Sequence, residues 1–136
     1  MDKSLLVNTY IRTILCSDDN IKNRLIDSKN GQIKIFPVDA RSGSEFPFVV
    51  IHRDSITPDY TKDGCYQNEL DVTIWIVDNG YDKCVELANL IRNRLDLCRY
   101  NDNEVYIDRI ELSAASEYIS DNSFIQELRF AVTMAN

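Results

Sequence analysis

The chain has one histidine, His52, inside the strand-like run FVVIHRD, with Asp54 two residues on and Ser55 and Cys65 as the nearest nucleophile candidates. Those residue types could form a relay in which a carboxylate orients an imidazole and the imidazole activates a hydroxyl or thiol. Such a relay needs a three-dimensional constellation, and nothing in the spacing singles one out. A histidine in mid-strand is ordinarily a side chain on the half-exposed face of a sheet. We therefore expect no catalytic residue and no enzyme. The alternative is a small intracellular α+β enzyme or ligand-binding module with a pocket near His52 and Cys65.

Other chemistry finds as little support. The carboxylates are numerous, but no D-x-[DN]-x-[DN]-G run and no H-E-x-x-H occurs, so Asp18, Asp19 and the acids between Asp54 and Asp63 read as helix-start and loop residues. Cys16, Cys65, Cys84 and Cys98 show no C-x-x-C spacing, which argues for reduced structural thiols and against a zinc site. The four glycines, Gly31, Gly43, Gly64 and Gly80, each fit a turn, and none belongs to a phosphate-cradling loop. No cofactor and no metal is expected.

The formal net charge is -7, and the basic residues are scattered, so sequence-specific nucleic-acid binding is not expected. No apolar run approaches the ~18 residues of a membrane span, and the first fifteen residues lack a small-residue cleavage site, which predicts residence in the cytoplasm where the chain is made. A length of 136 residues fits a single domain, residues 1–136, with one core.

The elements that must carry these residues follow from periodicity. Residues 66–77 alternate cleanly, with Leu70, Val72, Ile74 and Ile76 on one side and Asp71, Thr73, Trp75 and Val77 on the other. Residues 46–53 read as its antiparallel neighbour, and the polar stretch 54–65 between them as a long loop. Residues 5–16 read as a helix capped by Ser4, residues 21–26 as a helical turn started by residues 17–20, and residues 32–36 as a short strand before a polar loop at 39–45. From Tyr81 the period becomes 3.6, placing Tyr81, Cys84, Val85, Leu87, Ala88, Ile91, Leu95 and Cys98 on one stripe of a helix over 81–97. Residues 99–103 read as a loop, 104–114 as a strand, 116–122 as a turn and 123–134 as a last strand.

Runs of strands not alternating with helices predict an α+β domain, a mainly antiparallel sheet of four to five strands with two helices packed on one face. The opposite face, bearing Asp71, Thr73, Trp75, Glu127, Arg129 and Thr133, is mixed polar and must meet water or another subunit. Trp75 suits either a plug on that face or an interface anchor.

The succession of a strand ending Phe36-Pro37, the run Phe46-Pro47-Phe48-Val49-Val50-Ile51, the segment Thr57-Pro58 to Thr61-Lys62-Asp63-Gly64, a long alternating strand, Tyr81-Asp82 opening a helix, and Tyr118 before Gln126-Glu127-Leu128-Arg129-Phe130 resembles the tail-completion or tail-terminator neck proteins of long-tailed phages and prophages. The resemblance implies a structural subunit of the head–tail joining region, forming a homo-oligomeric ring, a hexamer, between tail tube and head connector proteins. It implies neither cofactor nor reaction. On this reading the chain sits in the bacterial host cytoplasm during assembly and in the virion neck afterwards. The 54–65 stretch, with Ile56, Pro58, Asp59, Tyr60, Lys62 and Asp63, is then the segment expected to reach a neighbouring subunit, with Trp75 as a further interface candidate.

Overall fold

The computed structural model describes residues 3–37, 45–60 and 66–135. Lys62, Asp63 and Cys65 lie outside these, as does the expected loop at 39–45 apart from Glu45. In chain order the elements are a 3-10 turn (Ser4–Leu6), α1 (Val7–Cys16), α2 (Asp19–Leu25), β1 (Ile35–Pro37), β2 (Phe48–Tyr60), β3 (Tyr66–Asp78), α3 (Tyr81–Leu95), β4 (Tyr100–Asn101), β5 (Tyr106–Ser120) and β6 (Ser123–Ala135).

Among the described residues, six strands form one curled, half-barrel sheet in the order β1-β2-β3-β6-β5-β4. The expectation of a mainly antiparallel sheet of four to five strands with two helices is therefore corrected. The sheet is mixed, because β1 pairs parallel to β2 (Ile35 with Val49, Pro37 with Ile51), and three helices accompany it. The added strand, β4, is only two residues long, too short for a periodic signal; it pairs Tyr100 with Ile107 inside the stretch read as a loop.

Two further boundaries differ. Residues 54–60, read as loop, continue β2 and pair with the start of β3, Ile56 opposite Leu70 and Pro58 opposite Asn68, after a bulge between Arg53 and Ser55. Composition misled here, since proline is tolerated on an edge strand where its missing N–H faces outward. Likewise β5 runs on to Ser120, and its turn is only Asp121-Asn122, both at positive φ (47° and 65°), the geometry that matches strand twist in a two-residue hairpin.

Burial follows the alternation. Leu70, Val72, Ile74 and Ile76 of β3 and Leu128, Phe130, Val132 and Met134 of β6 are buried against the stripe Cys84, Leu87, Ala88, Ile91 and Leu95 of α3, whereas Tyr81 and Val85, expected on that stripe, are exposed at its margin. Val7, Ile11, Ile14 and Leu15 of α1 close the same core, whereas Leu5 and Leu6 are exposed in the preceding turn. Ser4 is not a helix cap; buried, it accepts from Asn68 Nδ2 at 2.7 Å and ties the turn to β3. Asp18 does cap α2, accepting from the amides of Asn20 and Ile21 at 2.9 and 3.3 Å. The helix α3 stops at Leu95, two residues early: Asp96 takes extended backbone (ψ 126°), and Leu97 then turns to positive φ (63°).

Candidate functional site on the helix-free face

With the helices on one side, the residues of opposite parity gather on the other. The pairs Trp75–Glu127, Thr73–Arg129 and Asp71–Ala131 place β3 and β6 side chains together, and His52–Thr73 and Ser55–Asp71 add β2. An open cavity of about 450 Å³ lies there, lined in part by Asp54, Asp71, Thr73, Trp75, Glu127 and Arg129.

Its centre is Glu127, whose residue is only 6% exposed. A buried carboxylate needs several donors. Trp75 Nε1 donates to Oε1 at 3.0 Å, the Tyr118 hydroxyl to Oε2 at 3.2 Å, and Arg129 Nε lies 3.4 Å from Oε2. A second cluster sits beside it on β2. The bulge turns Asp54 onto this face, where it meets His52 Nδ1 at 2.7 Å and accepts from the buried Thr73 hydroxyl. The His52 and Trp75 rings lie 5.8 Å apart and link the two clusters.

The structure thus joins His52 to Asp54, but Ser55 donates to Asp71 Oδ2 at 3.0 Å and to no imidazole. Cys84, on the α3 stripe, is buried with its thiol donating toward the carbonyls of Ile76 and Phe124, and burial pushes that thiol upward, away from thiolate. Cys98, expected on the same stripe, falls beyond the helix end and is half-buried. Among the described residues no group of three or more His, Cys, Asp or Glu side chains has a metal-holding arrangement.

Of the expected contact residues, Ile56 is half-buried, Pro58 and Asp59 are exposed on the outer reach of β2, and the backbone of Tyr60 ends that strand. Trp75 is half-buried on the helix-free face opposite Val50, several residues along β3 from Leu70 and Asn68, the partners of Ile56 and Pro58. Residues 113–120, taken in the sequence for strand end and turn, form an exposed outer half of β5 instead. The signal that could have revealed this strand was the alternation of Ser116 and Tyr118 with Glu117 and Ile119.

The helix-free face is predominantly acidic. Asp54, Asp59, Glu69, Asp71, Glu111 and Glu127 share it with Arg109 and Arg129, as the strand registers place them. Among the described residues no helix is long and apolar enough to cross a membrane.

The sequence matches no protein-family model and no curated protein. The fold does match. A chain from a structure described as the virion of a native gene transfer agent particle superposes with a TM-score of 0.79 at 10% identity, covering 99% of this chain and 100% of that one. At that identity the likeness establishes a shared fold over the whole length.

Proposed function

We propose that this chain is a structural subunit of a phage-type virion, a tail-terminator or tail-completion protein that assembles into a ring on the tail tube at the head–tail joint. The observation that carries the reading is the likeness of fold to a virion chain over 99% of this chain and 100% of that one. The sequence resemblance to phage neck proteins points the same way, and the site's polar groups bond to one another in a pattern that holds a surface together.

On this reading the ring is a hexamer, its partners are the tail tube and the head connector, and assembly takes place in the bacterial host cytoplasm. Six copies at -7 each carry -42. An acidic lining repels the phosphate backbone and lets DNA pass without sticking, as the acidic helix-free face would do if it faces the channel. The outer reach of β2, with Ile56, Pro58, Asp59 and Tyr60 and beyond them Lys62 and Asp63, serves the contact with a neighbouring copy. Trp75, its N–H committed to Glu127, offers its ring to the helix-free face.

Light scattering of the purified chain over rising concentration, with electron microscopy of tube-protein polymers formed in its presence, tests the proposal. Discrete rings, free or seated on tube ends, are expected. A chain that stays monomeric at every concentration and leaves tube ends bare overturns it.

A further inference from the structure

We propose that the outer edge of β5 over residues 113–120 joins one copy of this chain to the next, pairing antiparallel with residues 52–57 of β2 on the neighbouring copy. The inference rests on the ring reading and supplies its joint.

A sheet edge is a row of unmade backbone hydrogen bonds, and folded proteins cover or blunt such rows. This protein does so along part of each side of the sheet. On one side β1 covers β2 where the Val49 amide donates to the Lys34 carbonyl at 2.9 Å. On the other, the chain leaving α3 covers the first half of β5. The Leu97 amide donates to the Ile110 carbonyl at 2.6 Å and the Ile110 amide to the Cys98 carbonyl at 3.1 Å, and Asp96 Oδ1 accepts from the Leu112 amide at 2.9 Å.

Beyond Leu112 the cover ends. On β6, residues 132, 130, 128, 126 and 124 alternate in phase, and opposite them stand Ile110, Leu112, Ala115, Glu117 and Ile119. Ile110 and Leu112 point their backbone groups outward, so Ala115, Glu117 and Ile119 do the same. Among the described residues no hydrogen bond reaches the outer side of these three. All eight residues from 113 to 120 are exposed. Their sequence, SAASEYIS, has no lysine, arginine or proline, and its one charge, Glu117, is held by Tyr81 at 2.8 Å and Gln126 at 2.9 Å. Nothing in the stretch discourages another strand.

The second open stretch is on the far side of the same sheet. Among the described residues no strand pairs with the outer side of β2 after Ile51, where β1 ends, and that edge is usable up to Pro58, which has no N–H to give. Successive antiparallel pairings from β2 through β3 and β6 make β5 run opposite to β2. A copy added at the β5 edge by its β2 therefore continues an antiparallel ladder and keeps its helices on the same side. Two different edges meeting head to tail build a ring, and the curl of each sheet lets it close. On the helix side β5 carries Glu117 and Ile119, and β2 carries Ile56 and Arg53, the latter donating to the Leu5 carbonyl at 2.7 Å.

Proline at outward-facing positions tests the joint, since Ala115→Pro and Glu117→Pro each delete an outward N–H and leave the ladder to β6 in place. Each is expected to lower ring affinity roughly tenfold while circular dichroism stays unchanged. Should either variant fail to fold, disulfide trapping reads the same contact. In a background with Cys16, Cys65 and Cys98 replaced by alanine, Ala115→Cys with Ile56→Cys is expected to give a ladder of linked copies under oxidation, and Ala115→Cys alone to give none. Rings that form unchanged with both proline variants, or a dimer from Ala115→Cys alone, overturn the joint and leave the ring standing. Absence of any ring from the unmodified chain overturns the ring reading and the joint with it.

Discussion

Asp96 accepts a hydrogen bond from the main-chain amide of Leu112, 2.9 Å from its Oδ1, bridging the end of α3 and the middle of β5. The carboxylate takes the place a neighbouring strand would fill, and it fixes where the covered part of that edge stops. Asp96→Ala leaves the Leu112 amide to water and should cost about 1 kcal/mol in denaturant unfolding. A variant as stable as the parent would show that the bond contributes nothing.

Glu127 collects Trp75, Tyr118 and Arg129 at the centre of the helix-free face. Glu127→Ala strands an indole N–H in a half-buried place, and a loss of about 1–3 kcal/mol is expected. Trp75 fluorescence should change as well, because its N–H loses the carboxylate. No change in either measurement would remove Glu127 from the centre of the network.

Ile91 is fully buried on α3 between the helices and the sheet. Truncation to alanine opens a cavity, and ~2–5 kcal/mol of stability should be lost. Urea midpoints give the answer, and a loss below ~0.5 kcal/mol would place the stripe elsewhere.

The Tyr81–Glu117 contact ties the outer half of β5 to the start of α3, and pH should release it from both sides. Hydrogen bonds from Gln126 and then Tyr81 hold Glu117 below its ordinary 4.5, so its contribution is present above that value and is lost as pH falls through the lowered one. Bonding to Glu117 holds Tyr81 above its ordinary 10.0, so the contact is present below that value and is lost as pH rises through the raised one. Amide exchange at Tyr118 and Ile119 should therefore show its greatest protection, corrected for intrinsic rate, between these limits. Protection independent of pH would sever the link.

Cys84 should resist thiol reagents in the native state and react only on unfolding, since it is buried and its thiol is pushed upward. Half-buried Cys16 and Cys98 should label before it. Rapid labelling of Cys84 under native conditions would contradict the packing of α3.

Much of this architecture was readable from periodicity alone. The alternation of Leu70, Val72, Ile74 and Ile76 and the 3.6-residue stripe through Ile91 each report one buried face, and the polar residues left over, Thr73, Trp75, Glu127 and Arg129, meet on the other. Where reading failed, composition outweighed pattern. Ile56, Pro58 and Tyr60 alternate with Ser55, Thr57 and Asp59, a strand's rhythm masked by a proline that only an edge can hold. Ser-Asp-Asn-Ser at 120–123 lacks the glycine of a typical two-residue turn, so the turn was drawn too wide. The partnership of Asp54 with His52 depends on a bulge, and β1's parallel pairing on a crossover; neither leaves a local mark.

The position of β6 in the sheet carries one more consequence, for the order of folding. β2 with β3, and β5 with β6, are near in sequence and can zip up as hairpins, but Trp75 meets Glu127 only after the whole of α3 and β5 has been made. The seam that unites the sheet is thus its least local pairing, and loop closure makes such contacts slow to form. Until β6 arrives, β3 and the newly made β5 each show an extra open edge in a crowded cell. A lag between the two hairpins and their union would expose the nascent chain to aggregation and to capture by chaperones.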